Sequence, residues 1–131
     1  MPIKRCRILL ADGDPEVQRA VRRVALRLGH EMVSVTAGRA VCEAAIRLAP
    51  DLIVLSFSFP DTDGRDVLGQ LKAGPLTKDV PVLVWSERRD RESESRIALA
   101  LGAEDYVEKS DAELLMLKIE RVLLRLTDSA A

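Results

Sequence analysis

Apolar positions along the chain follow two rhythms. CRILLA (6–11), LIVLSF (52–57) and PVLVW (81–85) are short unbroken runs, as strands buried on both faces are. EMVSVT (31–36) alternates instead, as an edge strand does, and DYVE (105–108) is a short fifth strand. Helical spacing fills the intervals. Val17, Val21, Val24, Ala25 and Leu28 share one face of a first helix that stops at Gly29. Asp14-Pro15-Glu16 opens it, with Asp as N-cap, Pro at the first helical position and Glu in the first turn. A second helix spans Arg39 to Leu48 and ends before Pro50. A short third runs from Arg65 to Lys72, ahead of Gly74-Pro75. A fourth covers Arg91 to Leu101 and closes at Gly102. Asp111 caps the last, Ala112 to Leu126.

Five strands alternating with five helices predict an α/β fold: a doubly wound, five-stranded parallel sheet covered on both faces. The working site of such a fold lies outside the carboxyl ends of the strands. Those ends carry Asp12, Gly13 and Asp14, then Ser56, Ser86 and Lys109. The expected domain is 1–126. Residues 127–131, TDSAA, read as a tail or the start of a linker.

Composition narrows the function classes. The 131 residues are 47% hydrophobic and 31% charged, enough for one core, and the net charge of −1 gives no basic excess to suggest nucleic-acid binding. No apolar run approaches the roughly 20 residues of a membrane helix, and Met1 to Arg7 does not read as a signal peptide. Cys6 and Cys42 are too few for a disulfide framework or zinc site and read as reduced, half-buried structural residues of a cytoplasmic protein. His30, the single histidine, reads as a solvated turn residue rather than a base.

ILLADGDP (8–15), PDLIVLSFSFPDTDG (50–64), PVLVWSE (81–87) and GAEDYVEKS (102–110) together resemble a response-regulator receiver domain over nearly the whole chain. The resemblance implies a flavodoxin-like sheet of strand order 2-1-3-4-5. It also implies an acid pocket. Two adjacent acids follow the first strand, a phosphoacceptor aspartate ends the third, a Ser or Thr ends the fourth and a Lys follows the fifth. One acid of the pair, the phosphoacceptor and a backbone carbonyl hold Mg²⁺, and the aspartate attacks a phosphohistidine or small phosphodonor. An aromatic on the fifth strand reports the change to a partner surface.

Position by position, Asp12 keeps the first acid, but Gly13 stands where the second is expected. Ser56 stands at the phosphoacceptor. Ser58 supplies the carbonyl, Ser86 keeps the hydroxyl, Lys109 the lysine and Tyr106 the aromatic switch, with inward and outward ring positions both open. Ser110 replaces the family's proline after the lysine, which predicts a trans bond and a rearranged loop. Two of three expected negative charges are gone, so no metal or other cofactor is expected, since Mg²⁺ prefers carboxylate oxygens. A serine hydroxyl is a weak nucleophile until a neighbour deprotonates it, so Ser56 reads as an inert strand-end residue. Lys109, no longer sharing its charge among three acids, is predicted to pair directly with Asp12.

Other features have plainer readings. Asp61 and Asp63 are turn formers ahead of Gly64, Trp85 is a core residue, and the run 87–96 (ERRDRESESR) is a solvated helix face. In the last helix Leu115, Ile119, Val122 and Leu126 fall on the sheet-facing side. Leu114, Leu117, Arg121 and Leu124 make a second, seam-like stripe. A solvated helix does not need one, so the stripe is expected to meet a protein partner or a second copy of the chain.

The function expected is a non-enzymatic, phosphorylation-independent interaction or dimerisation module of bacterial two-component signalling. The rivals are a receiver that accepts phosphate at Ser56 or another acid such as Asp14, and a module binding an anion or small ligand at the vacated pocket beside Lys109.

Overall fold

The computed structural model describes residues 5–87, 91–109 and 112–130. The strands are β1 (Arg7–Ala11), β2 (Glu31–Val35), β3 (Leu52–Leu55), β4 (Val82–Ser86) and β5 (Asp105–Glu108). The helices are α1 (Pro15–Arg27), α2 (Val41–Leu48), α3 (Gly64–Ala73), α4 (Arg91–Ala100) and α5 (Ala112–Ala130). All strands are parallel, in the order β2-β1-β3-β4-β5. The edge position of β2 explains its alternation: only Met32 of its five residues is buried, whereas all of β3 and β4 is.

Each strand feeds both layers, because successive side chains point to opposite faces. Leu9, Ile53, Leu55, Val82 and Val84 face α2 and α3, with Val41, Val67, Leu68 and Leu71 above them. Ile8, Leu10, Leu52, Val54, Leu83 and Trp85 face α1 and α5, packing on Val21, Ala25, Leu115 and Ile119. Cys6 joins this second layer fully buried, not half-buried, whereas Cys42 is partly exposed; neither is in a disulfide.

The element boundaries depart from the sequence expectation in two informative places, the start of α2 and the end of α5. The segment before α2 is a 3-10 turn, Gly38–Ala40, so the second helix proper starts only at Val41. Ala49 then takes a left-handed conformation (φ 47°) to end α2, a strained choice for a residue with a Cβ. Helix α5 continues to Ala130, past the expected end at Leu126. Ser110 and its bond to Lys109, and the Asp111 cap, lie outside the described residues.

His30 is a correction. It is buried, and its Nδ1 accepts a hydrogen bond from the Cys6 backbone N–H at 3.0 Å. That N–H precedes β1 and needs a partner, which the imidazole supplies from the α1–β2 turn. Accepting at Nδ1 leaves the proton on Nε2.

Candidate functional site

The carboxyl ends of β1, β3, β4 and β5 bring the expected residues together. Asp12 follows β1 and Ser56 follows β3. These two strands pair as far as Ala11↔Leu55, and the Ser56 N–H donates to the Ala11 carbonyl at 2.9 Å. Ser86 ends β4, paired with Glu108, and the Lys109 N–H donates to the Ser86 carbonyl at 3.0 Å.

Asp12 is buried and fully engaged. Its Oδ1 accepts the Asp14 N–H at 2.9 Å, and its Oδ2 lies 2.7 Å from Lys109 Nζ. That contact is a buried ion pair. The Lys109 side chain is itself only 11% exposed. The predicted pair therefore forms, and forms out of water. Asp14 turns away from the pocket: its carboxylate caps α1, accepting the Glu16 N–H at 2.9 Å.

Ser56 has no exposed surface. Its Oγ accepts the Ser58 N–H at 3.1 Å and donates to the Ser58 carbonyl at 3.3 Å, so the hydroxyl is used up in its own turn. The turn is tight because α3 presses on it. A Cβ at Gly64 would stand 2.4 Å from the Ser56 carbonyl oxygen and 2.5 Å from Phe57 Cα. The Gly64 N–H donates to the Phe57 carbonyl at 3.1 Å. Asp63 caps α3 through the Arg65 N–H and also pairs with the Arg65 guanidinium at 2.6 Å, which holds its carboxyl below the usual range.

Asp61 does something the sequence reading missed. Rather than only shaping its own turn, it accepts the Gly38 and Arg39 N–H groups at 2.9 and 3.0 Å, capping the 3-10 turn ahead of α2. These hydrogen bonds, the Arg39 one foremost, lower its pKa. Gly38 fits there because a Cβ would meet the Thr62 methyl at 2.4 Å.

Tyr106 is inward. The ring is buried, 6.4 Å from Phe57 centroid to centroid and tilted by 58°. Its hydroxyl donates to Glu94 Oε2 at 2.6 Å, and Ser86 Oγ donates to the same oxygen at 3.3 Å. Burial foremost, and then Glu94, hold the phenol well above its usual pKa of 10. Glu94 belongs to the charged run read as a solvated face. It is half-buried, which corrects that reading at this position, while Glu92 and Arg96 do face solvent. Residues 88–90 of the run lie outside the described residues.

On α5 the sheet-facing side includes Leu123, fully buried and missed from sequence, beside Leu115, Ile119 and Val122. Leu114 packs against this core rather than standing in an outer stripe. What remains outside is Leu117 (55% exposed), Arg121 and Leu124 (49% exposed). Two ion pairs to the β5 end flank it, Lys118–Asp105 at 2.6 Å and Arg125–Glu104 at 3.1 Å.

The sequence model of the response regulator receiver domain matches residues 8–120. The chain belongs to that family. This receiver is thus a module of two-component signalling rather than an enzyme. It is 38% identical over 102 residues to the transcriptional regulatory protein KdpE of Mycobacterium tuberculosis, covering 78% of this chain and 43% of that protein. It is 36% identical over 127 residues to the response regulator MprA of Mycobacterium leprae, covering 95% of this chain and 54% of that protein. The receiver spans about half the length of these relatives. Among solved structures it resembles a response regulator from Chloroflexus aurantiacus, with a TM-score of 0.84 at 24% identity over 92% of this chain and 99% of that one. It also resembles the phosphorylated cyanobacterial phytochrome response regulator RcpA, with a TM-score of 0.78 at 27% identity over 92% and 95%.

The residues of this receiver do not fit the Mg²⁺ that the resemblance implies. The pocket offers one carboxylate, already held by Lys109 and a backbone N–H, with a glycine and a sealed serine where two more acids are expected. A hard dication that keeps octahedral geometry needs more anionic oxygen than this. Among the described residues, no three His, Cys, Asp or Glu side chains converge on a metal position. No helix among them is long and apolar enough to cross a membrane.

Proposed function

We propose that this receiver works as a phosphorylation-independent interaction module in bacterial, cytoplasmic two-component signalling. The observation that carries the reading is the state of Ser56. Its hydroxyl has no exposed surface and is bound at both its donor and acceptor sides within its own turn. A serine attacks phosphorus only after a base removes its proton. The Lys109 amine is committed to Asp12, in an ion pair at 2.7 Å. Asp14 is no substitute acceptor, since its carboxylate caps α1.

With phosphoryl chemistry set aside, the surface of α4, β5 and α5 is what the domain offers. Leu117, Arg121 and Leu124 give it two exposed leucines around a cation. The reading assigns this face to a protein partner, a second copy of the chain in the first instance.

Incubation with acetyl phosphate and Mg²⁺, followed by intact-mass measurement, tests the reading. The mass stays unchanged on this account. A gain corresponding to one phosphoryl group, about 80 Da, would overturn it; that figure is the mass of the added PO₃H in the transfer considered for phosphoryl chemistry.

A further inference from the structure

The hydrogen bonds of Glu94 have a consequence beyond the state of Ser56. Oε2 is a single anionic oxygen that accepts a short hydrogen bond from Tyr106 of β5 at 2.6 Å and a longer one from Ser86 of β4 at 3.3 Å, whose hydroxyl also lies 3.5 Å from the Glu87 carbonyl. Both donors are buried, Ser86 at 1% and Tyr106 at 9% exposure. The carboxylate comes from α4, so three elements meet at one atom. Hydrogen bonds to an ionised acceptor are shorter and stronger than neutral ones, and 2.6 Å for O–H···O⁻ is in that class.

These are the positions that, by the resemblance described above, carry the fourth-strand hydroxyl and the fifth-strand aromatic reporter. Here they already have an anionic oxygen, supplied by the chain itself. We propose that Glu94 is a built-in latch: it holds Ser86 and Tyr106 in one arrangement and thereby fixes α4 against β5, without any group being added at Ser56. This deepens the phosphorylation-independent reading and rests on it. Phe57 completes the latch from behind, packing on the inward ring at 6.4 Å.

The chain has one tyrosine and two phenylalanines, so the Tyr106 ring resonances are unambiguous in NMR. The test compares the whole chain with its Glu94→Ala and Glu94→Gln variants, following the Tyr106–Phe57 ring NOE and amide exchange in α4 and β5. Alanine is a better helix former than glutamate, so α4 itself is not weakened. The latch predicts that Glu94→Ala loses the NOE and accelerates exchange in both elements. Glu94→Gln, which keeps an acceptor oxygen, retains much of each. An unchanged NOE and unchanged exchange in Glu94→Ala overturns the proposal. If Glu94→Ala does not fold, Tyr106→Phe serves: it keeps the ring and removes only the donor. Faster exchange in α4 then supports the latch and wild-type exchange overturns it. The acetyl phosphate experiment is independent of these. Phosphoryl uptake with a working latch would sink the reading and leave the latch standing.

Discussion

Lys109 Nζ lies 2.7 Å from Asp12 Oδ2 and joins two strands that are not neighbours. In the order β2-β1-β3-β4-β5, β3 and β4 stand between them. One ion pair thus closes the carboxyl edge of the sheet over the position where an acid cluster is otherwise expected. Both partners are largely buried, so each depends on the other to offset its lost hydration.

Lys109→Ala leaves the Asp12 carboxylate buried without its cation. The expected loss of folding stability is about 3–5 kcal/mol, read from urea denaturation midpoints. Replacing both partners, as in Asp12→Asn/Lys109→Met, removes the stranded charge and is expected to cost less than Lys109→Ala alone. An unchanged midpoint for Lys109→Ala would show that the pair contributes nothing.

Two glycines of α3 make opposite predictions. A Cβ at Gly64 runs into the backbone of Ser56 and Phe57, and backbone cannot step aside. Gly64→Ala is expected to destabilise by about 1–3 kcal/mol through overpacking. Gly69 has nothing within 4 Å of its would-be Cβ and lies inside the helix. Gly69→Ala is expected to stabilise by about 0.5–1 kcal/mol. Thermal melts of the two variants moving in the same direction would contradict this account of the β3–α3 junction.

Stability should fall in mild acid because of His30. Burial lowers its pKa below the usual 6.5, and the Asp51 carboxylate opposes this only in part. The unfolded chain therefore takes up a proton at a pH where the folded chain does not. Stability is fully present above about pH 6.5 and is lost as pH falls through the lowered folded value. Asp61 and Asp63 also lose stabilisation in acid, but below their usual value of 3.8, a separate window. Denaturation measured from pH 7.5 to 5 tests the claim, with His30→Gln as control. A wild-type slope in this range that the variant retains in full would place its origin elsewhere.

Much of this architecture is legible in the sequence because it is local. Strand runs, helix periodicity and the Asp14-Pro15-Glu16 opening act over a few residues, and each appears in the fold near its expected place. The Lys109–Asp12 pair is legible too, since the family's geometry brings both to one edge and Gly13 and Ser56 leave the lysine a single acid. What stays hidden is long-range or angular. Asp61 serves backbone donors more than 20 residues away, and nothing beside it in the chain points there. His30 is buried because the Cys6 N–H, 24 residues earlier, needs an acceptor. Glu94 sits among so many charges that composition alone cannot say which one turns inward. Leu114 and Leu123 differ from the expected stripe only by the width of the buried arc, which exceeds a strict seam on a helix packed against a sheet.

The exposed leucines of α5 bear on assembly. Leu117→Glu/Leu124→Glu introduces two charges into the surface beside Arg121 without touching the core. Folding stability is expected to stay within about 0.5 kcal/mol, as for surface substitutions generally. Self-association, followed by sedimentation across a concentration series, is expected to weaken. A series identical to that of the unaltered chain would remove this face from the account.

A pocket holding one carboxylate, already neutralised by Lys109, does not collect a divalent cation. Titration calorimetry with MgCl₂ tests it most directly, alongside a Gly13→Asp/Ser56→Asp variant that returns the two missing acids. A Cβ at Gly13 comes 3.3 Å from the Thr36 carbonyl oxygen, so the first substitution needs only a small local shift. No saturable heat is expected for the unaltered chain through the millimolar range, and uptake is expected for the variant. Saturable binding to the unaltered chain at or below millimolar Mg²⁺ would contradict it.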